Sequence, residues 1–485
     1  MQIFLILGIP VILILCALVF KRPKVFGIIN SAGYLMVLVF SIILLRKLFF
    51  LAPAGFVSYL GFIYLDSLSA FFIFVTSVVS FAASLYSIGY IRNDLDKEKI
   101  TEKKARIYYL LFNLFCLAMF FVPAVSNLGM LWVSIEITTL VSAFLVGFYN
   151  TKESVEAAWK YIIICSLGII LALLGTILFS YAFAISGLSR SLNWQEMVPV
   201  AHILDKNILK IAFIFILVGY GTKAGLAPMH TWLPDAHSQA VSPISALLSG
   251  VLLKTAIYAI LRFGIIVVKG VGFAYFGNLM ILFGVISLAI SCGFVIVQKD
   301  LKRLLAYSSI EHIGIICVGF GLGPVFGVIG ALLHVYSHAV TKSLMFFGAG
   351  NIINVYKKHN MNVIRGVIKV MPFTGIMVLL GMFALAGFPP FSIFFSEFLI
   401  IAAAFLKGSY LVAGLLLLFL SVIFGAFVFH FGKMLFGNTP KDMAVIKEPL
   451  SVKLSFLFLF FQVCVFGAVL PFIKKELVWF AQRLF

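Results

Sequence analysis

Within stretches otherwise dominated by Leu, Ile, Val and Phe, this sequence carries Glu136, Lys223, Lys254, His312, His334, His338, Lys342 and Glu397. Three of them recur at i, i+4 in GALLHVYSHAVTKSLMFF, so His334, His338 and Lys342 form a slowly drifting stripe about 12 Å long on one helix. Tyr336, Ser337 and Thr341 add hydroxyls beside it. An ionisable group at the centre of a membrane helix costs about 2.5–3.5 kcal/mol on insertion scales, so each needs a partner or a task. Glutamate, lysine and histidine share one chemistry suited to such a place. Each takes up or releases a proton when the surrounding field changes modestly. Set a helical turn apart with water in the gaps, they make a proton relay.

Two other readings use the same residues. Ion pairs could merely hold helices together, but so many charges in separate spans exceed what packing asks for. His334 and His338 have the spacing of a chelating pair. No carboxylate accompanies them on that face, however, and a bis-His haem needs a facing histidine on a second helix. No metal or haem is therefore expected in this chain. His230, Asp235 and His237 fall in the loop between the seventh and eighth spans, where a mouth for protons is preferred to a metal site. Lys342 nears a helix end, where a long side chain can snorkel.

Helix-breaking residues crowd two of the charges. Gly219, Gly221, Gly225 and Pro228 surround Lys223, and Gly387, Pro389 and Pro390 come just before Glu397. Backbone freed by proline is tolerated at membrane depth only where protein or water satisfies it, so both sites should border a hydrated cavity. Glu136 precedes Lys223 by nearly the interval at which His312 precedes Glu397, which suggests two copies of a five-span unit. An odd number of spans per copy forces inversion.

The elements that hold these residues follow from composition. A chain of 485 residues with 63% hydrophobic, 11% charged and 53 Phe lacks the polar side chains to cover a soluble globule. Apolar stretches of about 20 residues, enough to cross roughly 30 Å of hydrocarbon, recur throughout. The spacing predicts an all-α polytopic membrane protein of about 14 transmembrane helices, with helices 7 (208–227) and 12 (371–400) broken. It divides into residues 1–106, three spans and a charged loop; 107–270, the first inverted repeat; 271–436, the second; and 437–485, a loop, span 14 (453–473) and a tail. The stretch from Gln2 to Phe20 has no preceding positive charge or small-residue cleavage site and reads as a retained first span.

The +19 formal charge is divided among short loops rather than gathered on one face, which excludes a nucleic-acid partner and marks topology instead. Basic residues concentrate at 92–106, 150–157, 298–304, 351–370 and 437–452. With these loops cytoplasmic, both termini face the exterior of a prokaryotic inner membrane. The charged run 92–106 reads as a solvated, topology-fixing loop in preference to a docking segment. The six Cys stand singly in apolar stretches and suit packing. With no phosphate loop and no nucleophile triad, no bond-breaking chemistry is expected of this chain.

The segment GYGTKAGLAPMHTWLPDAHSQAVSPISALLSGVLLKTAIYAILRF resembles the signature of antiporter-like subunits of respiratory complex I and its relatives. LKRLLAYSSIEHIG, HAVTKSLMFFGAGNI and GFPPFSIFFSEF continue the likeness in order, with YLDSLSAFF and YSIGYI upstream, over residues 60 to 435. AYSSIEHIG and SEF resemble the F-type subunit of hydrogenase 4 in membrane-bound [NiFe] hydrogenase and formate hydrogenlyase complexes. The resemblance implies a 14-helix fold of two inverted repeats. It makes Glu136 and Lys223 an interacting pair, Lys254 a connecting lysine, His334 and His338 a central relay, and Glu397 the exit-side residue, with His312 and Lys342 alongside. It implies partners too: other antiporter-like and anchor subunits in the bilayer, and peripheral redox subunits holding iron-sulfur and nickel-iron or flavin centres. The expected function is proton translocation in a redox-driven complex. The alternatives are an Mrp-type Na+/H+ antiporter subunit and a structural membrane anchor.

Overall fold

Hydrogen-bonding side chains mark where the helices begin. Asp66, Thr101, Asn127, Thr151, Asp205 and Asp300 each accept from first-turn N–H groups that have no intrahelical partner, and Thr151 with Ser154 closes a reciprocal capping box. The computed structural model describes residues 2–20, 22–51, 55–187, 191–323, 325–439, 443–469 and 474–485.

The chain begins with α1 (Gln2–Val19), α2 (Pro23–Leu45), a hairpin of β1 (Val57–Tyr59) and β2 (Ile63–Leu65), and α3 (Ser67–Asp96). In the hairpin Ser58 stands opposite Tyr64. Then come α4 (Glu102–Phe121), α5 (Leu128–Val146), α6 (Lys152–Ile185), α7 (Trp194–Val200), α8 (Lys206–Ala224), α9 (Trp232–Gln239), α10 (Ser242–Leu247) and α11 (Leu253–Gly270). The rest is α12 (Phe273–Val297), α13 (Leu301–Leu322), α14 (Phe326–Tyr356), α15 (Val367–Val370), α16 (Pro372–Leu385), α17 (Ser392–Leu406), α18 (Tyr410–Phe436), α19 (Leu450–Val469) and α20 (Lys474–Leu484).

Eleven helices among the described residues are long and apolar enough to cross a membrane, with α10 and α11 joined as one segment, Ser242–Gly270. The protein is a polytopic, helical membrane protein. The 31-residue α14 falls outside that set because the His, Lys, Ser and Thr side chains that mark it for chemistry also lower its hydropathy. Helices α16 and α17 are apolar but shorter, as is the apolar stretch Leu450–Val465 of α19. The expected twelfth span is divided into α16 and α17, and positions 470–473 of the expected fourteenth lie outside the described residues.

Burial separates inner helices from outer ones. In the apolar window of α10–α11 and in that of α13, 94% of residues are buried, against 22% for α18. Outer helix α6 turns Ile163, Leu167, Ile170, Leu174 and Ile177 outward, the apolar stripe that lipid requires. The charges of interest sit mainly on the inner set.

Both expected breaks are present. Helix α8 ends at Gly225, whose φ of +78° suits a residue without Cβ, and the freed Ala227 N–H donates to Ser287 Oγ at 2.9 Å. Helix α16 ends before Gly387, at φ +67°, and α17 starts beyond the two prolines. A third irregularity carries no proline signal. Leu248–Leu252 form a π turn between α10 and α11, one residue short of Lys254.

Candidate functional site

A buried polar crossing lies where α13, α14 and α17 meet. Glycine makes the approach possible: a Cβ on Gly330 of α14 would come 2.7 Å from Ile400 Cγ1 and 3.1 Å from the Ser396 carbonyl. His334 is thereby set between two helices. Its Nδ1 lies 2.8 Å from Ser396 Oγ and its Nε2 lies 2.8 Å from His312 Nδ1.

The serine fixes the proton positions. Ser396 donates its single hydroxyl hydrogen to the Ile393 carbonyl at 2.7 Å, so it accepts from His334 Nδ1–H. Neutral His334 then presents a bare Nε2, and His312 Nδ1–H donates to it. The tautomers follow from the bonds rather than from observed hydrogens. Glu397 brings a carboxylate oxygen that lies, with one ligating nitrogen of each histidine, in a set spanning no more than 4.8 Å. Its Oε1 is buried without a partner, as is His312 Nε2.

This geometry revises the stripe read from α14 alone. The His334 and His338 rings are 6.4 Å apart, whereas His338 stacks on His312 of α13 at 4.5 Å between centroids. The ring contacts thus zigzag between α13 and α14 instead of running along one helix. The facing histidine and the carboxylate thought to be missing arrive from α13 and α17. Lys342 does not snorkel: it is fully buried, donating to the Leu305 carbonyl at 2.7 Å and to Ser308 Oγ.

Lys254 lies deep between these residues and the first half. Its ammonium donates to the Ser249 carbonyl at 2.5 Å, an acceptor inside the π turn. Ser249 Oγ in turn lies 2.7 Å from Ser309 Oγ of α13. The wide turn thus serves both the lysine and the neighbouring helix.

In the first half, Gly219 of α8 packs so closely on α6 that a Cβ there would meet the Ala172 nitrogen at 2.5 Å. That closeness brings Lys223 to α6, where it donates to Tyr161 OH at 2.5 Å, and also to Thr139 Oγ1 of α5 at 2.8 Å. Tyr161 OH is also 2.7 Å from Ser142 Oγ. Glu136 lies one turn before Thr139 but makes no ion pair with Lys223. It accepts from Ser166 Oγ at 3.1 Å and leaves Oε2 unpartnered. The expected interacting pair is thus not in ion-pair contact, each side chain being hydrogen-bonded to other partners. Its neighbours Val133, Ile137 and Leu140 are exposed, so Glu136 borders the outer surface.

Asp235 and His237, expected in a loop, lie on the short helix α9, and Asp235 joins Lys160 of α6 at 3.3 Å and Arg303 of α13. His237 beneath it is fully buried, stacked on Phe346 at 5.3 Å, with neither ring nitrogen bonded.

Two features escaped the sequence. Glu311, next to His312, is buried with Oε2 unpartnered, and its place inside the expected tenth span (305–321) was a usable signal. Arg262 is buried and held bidentately by Asp66 at 2.7 and 2.5 Å. Ser69 Oγ at 3.0 Å, Tyr258 OH at 2.9 Å and the Trp194 ring at 4.2 Å complete its surroundings. Burial opposes ionisation of Asp66, but the guanidinium and the Ser69 donors outweigh it and hold the carboxyl below its usual range.

Comparison with known proteins gives the same architecture. Residues 125–424 match the family described as NADH:quinone oxidoreductase/Mrp antiporter, transmembrane. Residues 51–99 match the NADH-ubiquinone oxidoreductase (complex I) chain 5 N-terminus. The hydrogenase-4 component F homolog of Methylacidiphilum infernorum is 38% identical over 391 residues, covering 80% of this chain and 82% of that protein. A chain of the archaeal membrane-bound sulfane sulfur reductase superimposes with a TM-score of 0.85 at 24% identity, over 100% of this chain and 99% of its own. A chain of the Mrp complex from Dietzia sp. DQ12-45-1b gives 0.85 at 19% identity, over 100% and 97%. Both structures belong to membrane complexes, and at these identities they speak for the fold.

Proposed function

Because the chain belongs to the NADH:quinone oxidoreductase/Mrp antiporter transmembrane family, we propose that it is the proton-translocating membrane-arm subunit of a redox-driven, hydrogenase-type complex. The His312–His334–Ser396 crossing carries this reading. A proton arriving at His312 can pass from Nδ1 to His334 Nε2 without any helix moving. The resulting imidazolium keeps its Nδ1–H on Ser396, and Glu397, reachable through one water, takes the next step. Lys223, with its Thr139 and Tyr161 hydroxyls, and Glu136 serve the first half, and Lys254 links the halves.

The family membership supports further elements of the proposal. Helices α16 and α17 act as one broken span, which with α14 and α19 makes fourteen. Residues 107–270 and 271–436 form inverted repeats, and both termini face the exterior of a prokaryotic inner membrane. Iron-sulfur and nickel-iron or flavin centres reside on peripheral partners, and electron transfer there drives the file.

The test uses membrane vesicles holding the complete complex. Electron transfer and acid-quenched dye fluorescence are followed together for wild type, His334→Gln and Lys223→Ala. Both variants should keep assembly and lose proton movement. Unchanged pumping by both would sink the mechanism, and sodium-dependent pH changes in vesicles without redox partners would favour an antiporter instead.

A further inference from the structure

We propose that His312 Nδ1, His334 Nε2 and a Glu397 carboxylate oxygen form a binding site for a divalent transition-metal ion of the zinc class, and that its occupancy stops the proton file. Two imidazole nitrogens and one carboxylate oxygen are the donor set of zinc sites that keep a fourth position for water. Here one ring nitrogen of each histidine and a Glu397 oxygen lie within 4.8 Å of one another, His312 Nδ1 and His334 Nε2 face each other at 2.8 Å, and all three residues are buried. A tetrahedral zinc needs donor separations of about 3.3 Å, from bond lengths near 2.0–2.2 Å. The 2.8 Å His312–His334 contact must therefore open slightly and the longest separation must close. Side-chain rotation supplies both movements.

Three independent features fit a ligand-holding site. Ser396 locks His334 with its Nδ1–H engaged, which aims the Nε2 lone pair inward, the outer hydrogen bond that metal-binding histidines characteristically make. Glu397 Oε1 is buried and has no partner. Gly387 leaves room, for a Cβ there would lie 2.0 Å from Glu397 Oε2. The other charged groups that face this region, Lys254 and Lys342, are engaged on the Ser249 and Leu305 carbonyls, and Glu311 adds a second buried carboxyl.

The proton balance is explicit. The incoming ion takes the place of the proton shared by the two histidines. His312 keeps that proton by moving it to its unpartnered Nε2, while Glu397 releases to water any proton it carries. No ring nitrogen is then free to pass a proton across.

Binding rests on geometry alone, while blocking rests on the proton-translocation reading, and the experiment separates them. Purified protein is titrated with Co2+ as a spectroscopic stand-in for Zn2+. One Co2+ per chain should give the visible ligand-field bands of four-coordination, and Zn2+ should bleach them. His312→Ala and Glu397→Gln should abolish the signal at concentrations that saturate wild type. Ser396→Ala should weaken it about 10–100-fold, the usual cost of an outer partner. His359→Ala, at the surface, should leave it intact. Thermal unfolding identifies any variant that fails to fold, and Glu397→Gln serves as the conservative backup. Absence of Co2+ bands, or bands that survive both ligand substitutions, overturns the site. Proton movement in complex-bearing vesicles that ignores saturating Zn2+ overturns the block. Wild-type vesicles that move no protons even without Zn2+ count against the proposed function and leave the site judged on Co2+ alone.

Discussion

Two buried regions of this molecule treat charge in opposite ways. Around Arg262, each guanidinium nitrogen is engaged: Asp66, Ser69 and Tyr258 accept from it, and Trp194 covers its face. Around His312, His334 and Glu397 the set stays open, with His312 Nε2 and Glu397 Oε1 unpartnered. A closed set of bonds holds α3 to α11, with its carboxylate kept ionised by the guanidinium. An open set costs stability and gains the capacity to exchange. The difference teaches that buried charge is best read by what it leaves unsatisfied.

The largest effect should come from opening the closed region. Asp66→Asn leaves Arg262 uncompensated and should lower stability by about 3–5 kcal/mol, read as a fall in Tm of the purified protein. It should spare proton movement per assembled complex. The pH dependence has a definite sign. Since the Asp66 carboxyl is held below its unfolded value near 3.9, its stabilisation is complete above that value and is lost as pH falls through the depressed one. In Asp66→Asn this acid limb should flatten.

Closing the open region should do the reverse. Glu397→Gln removes a titrating group without changing its shape, so proton movement should drop about 100-fold while Tm holds or rises. A large loss of Tm here, with transport intact, would erase the distinction between the regions. A smaller effect is expected from Tyr161→Phe, which takes one of two hydroxyl partners from Lys223. Transport should slow roughly tenfold, the worth of one charge-assisted hydrogen bond. The smallest is at the surface. Lys160→Ala breaks exposed contacts to Glu156 and Asp235 and should leave Tm and pumping unchanged within error.

How much of this was legible depended on whether the signal was local. Gly225 and Pro228 announce the break after Lys223, and Gly387 with two prolines announces the one before Glu397, because backbone chemistry is written in adjacent residues. The π turn at Leu248–Leu252 holds Gly250 but no proline and went unread. Helical spacing identified a polar face on α14 but could not say which helix it meets. So the His338 stack on His312 replaced the expected run along the stripe, and Glu136 and Lys223 were found bonded to hydroxyls rather than directly to each other. The Asp66–Arg262 pair joins residues nearly two hundred positions apart in sequence, where no periodicity reaches.

The glycine at 387 carries a genetic consequence. It has no charge and touches no proton, yet the smallest side chain placed there would press on the Glu397 carboxylate. A selection for lost pumping would therefore recover alanine at 387 beside changes at 397 itself, and a map of such alleles would trace the outline of the carboxylate's seat.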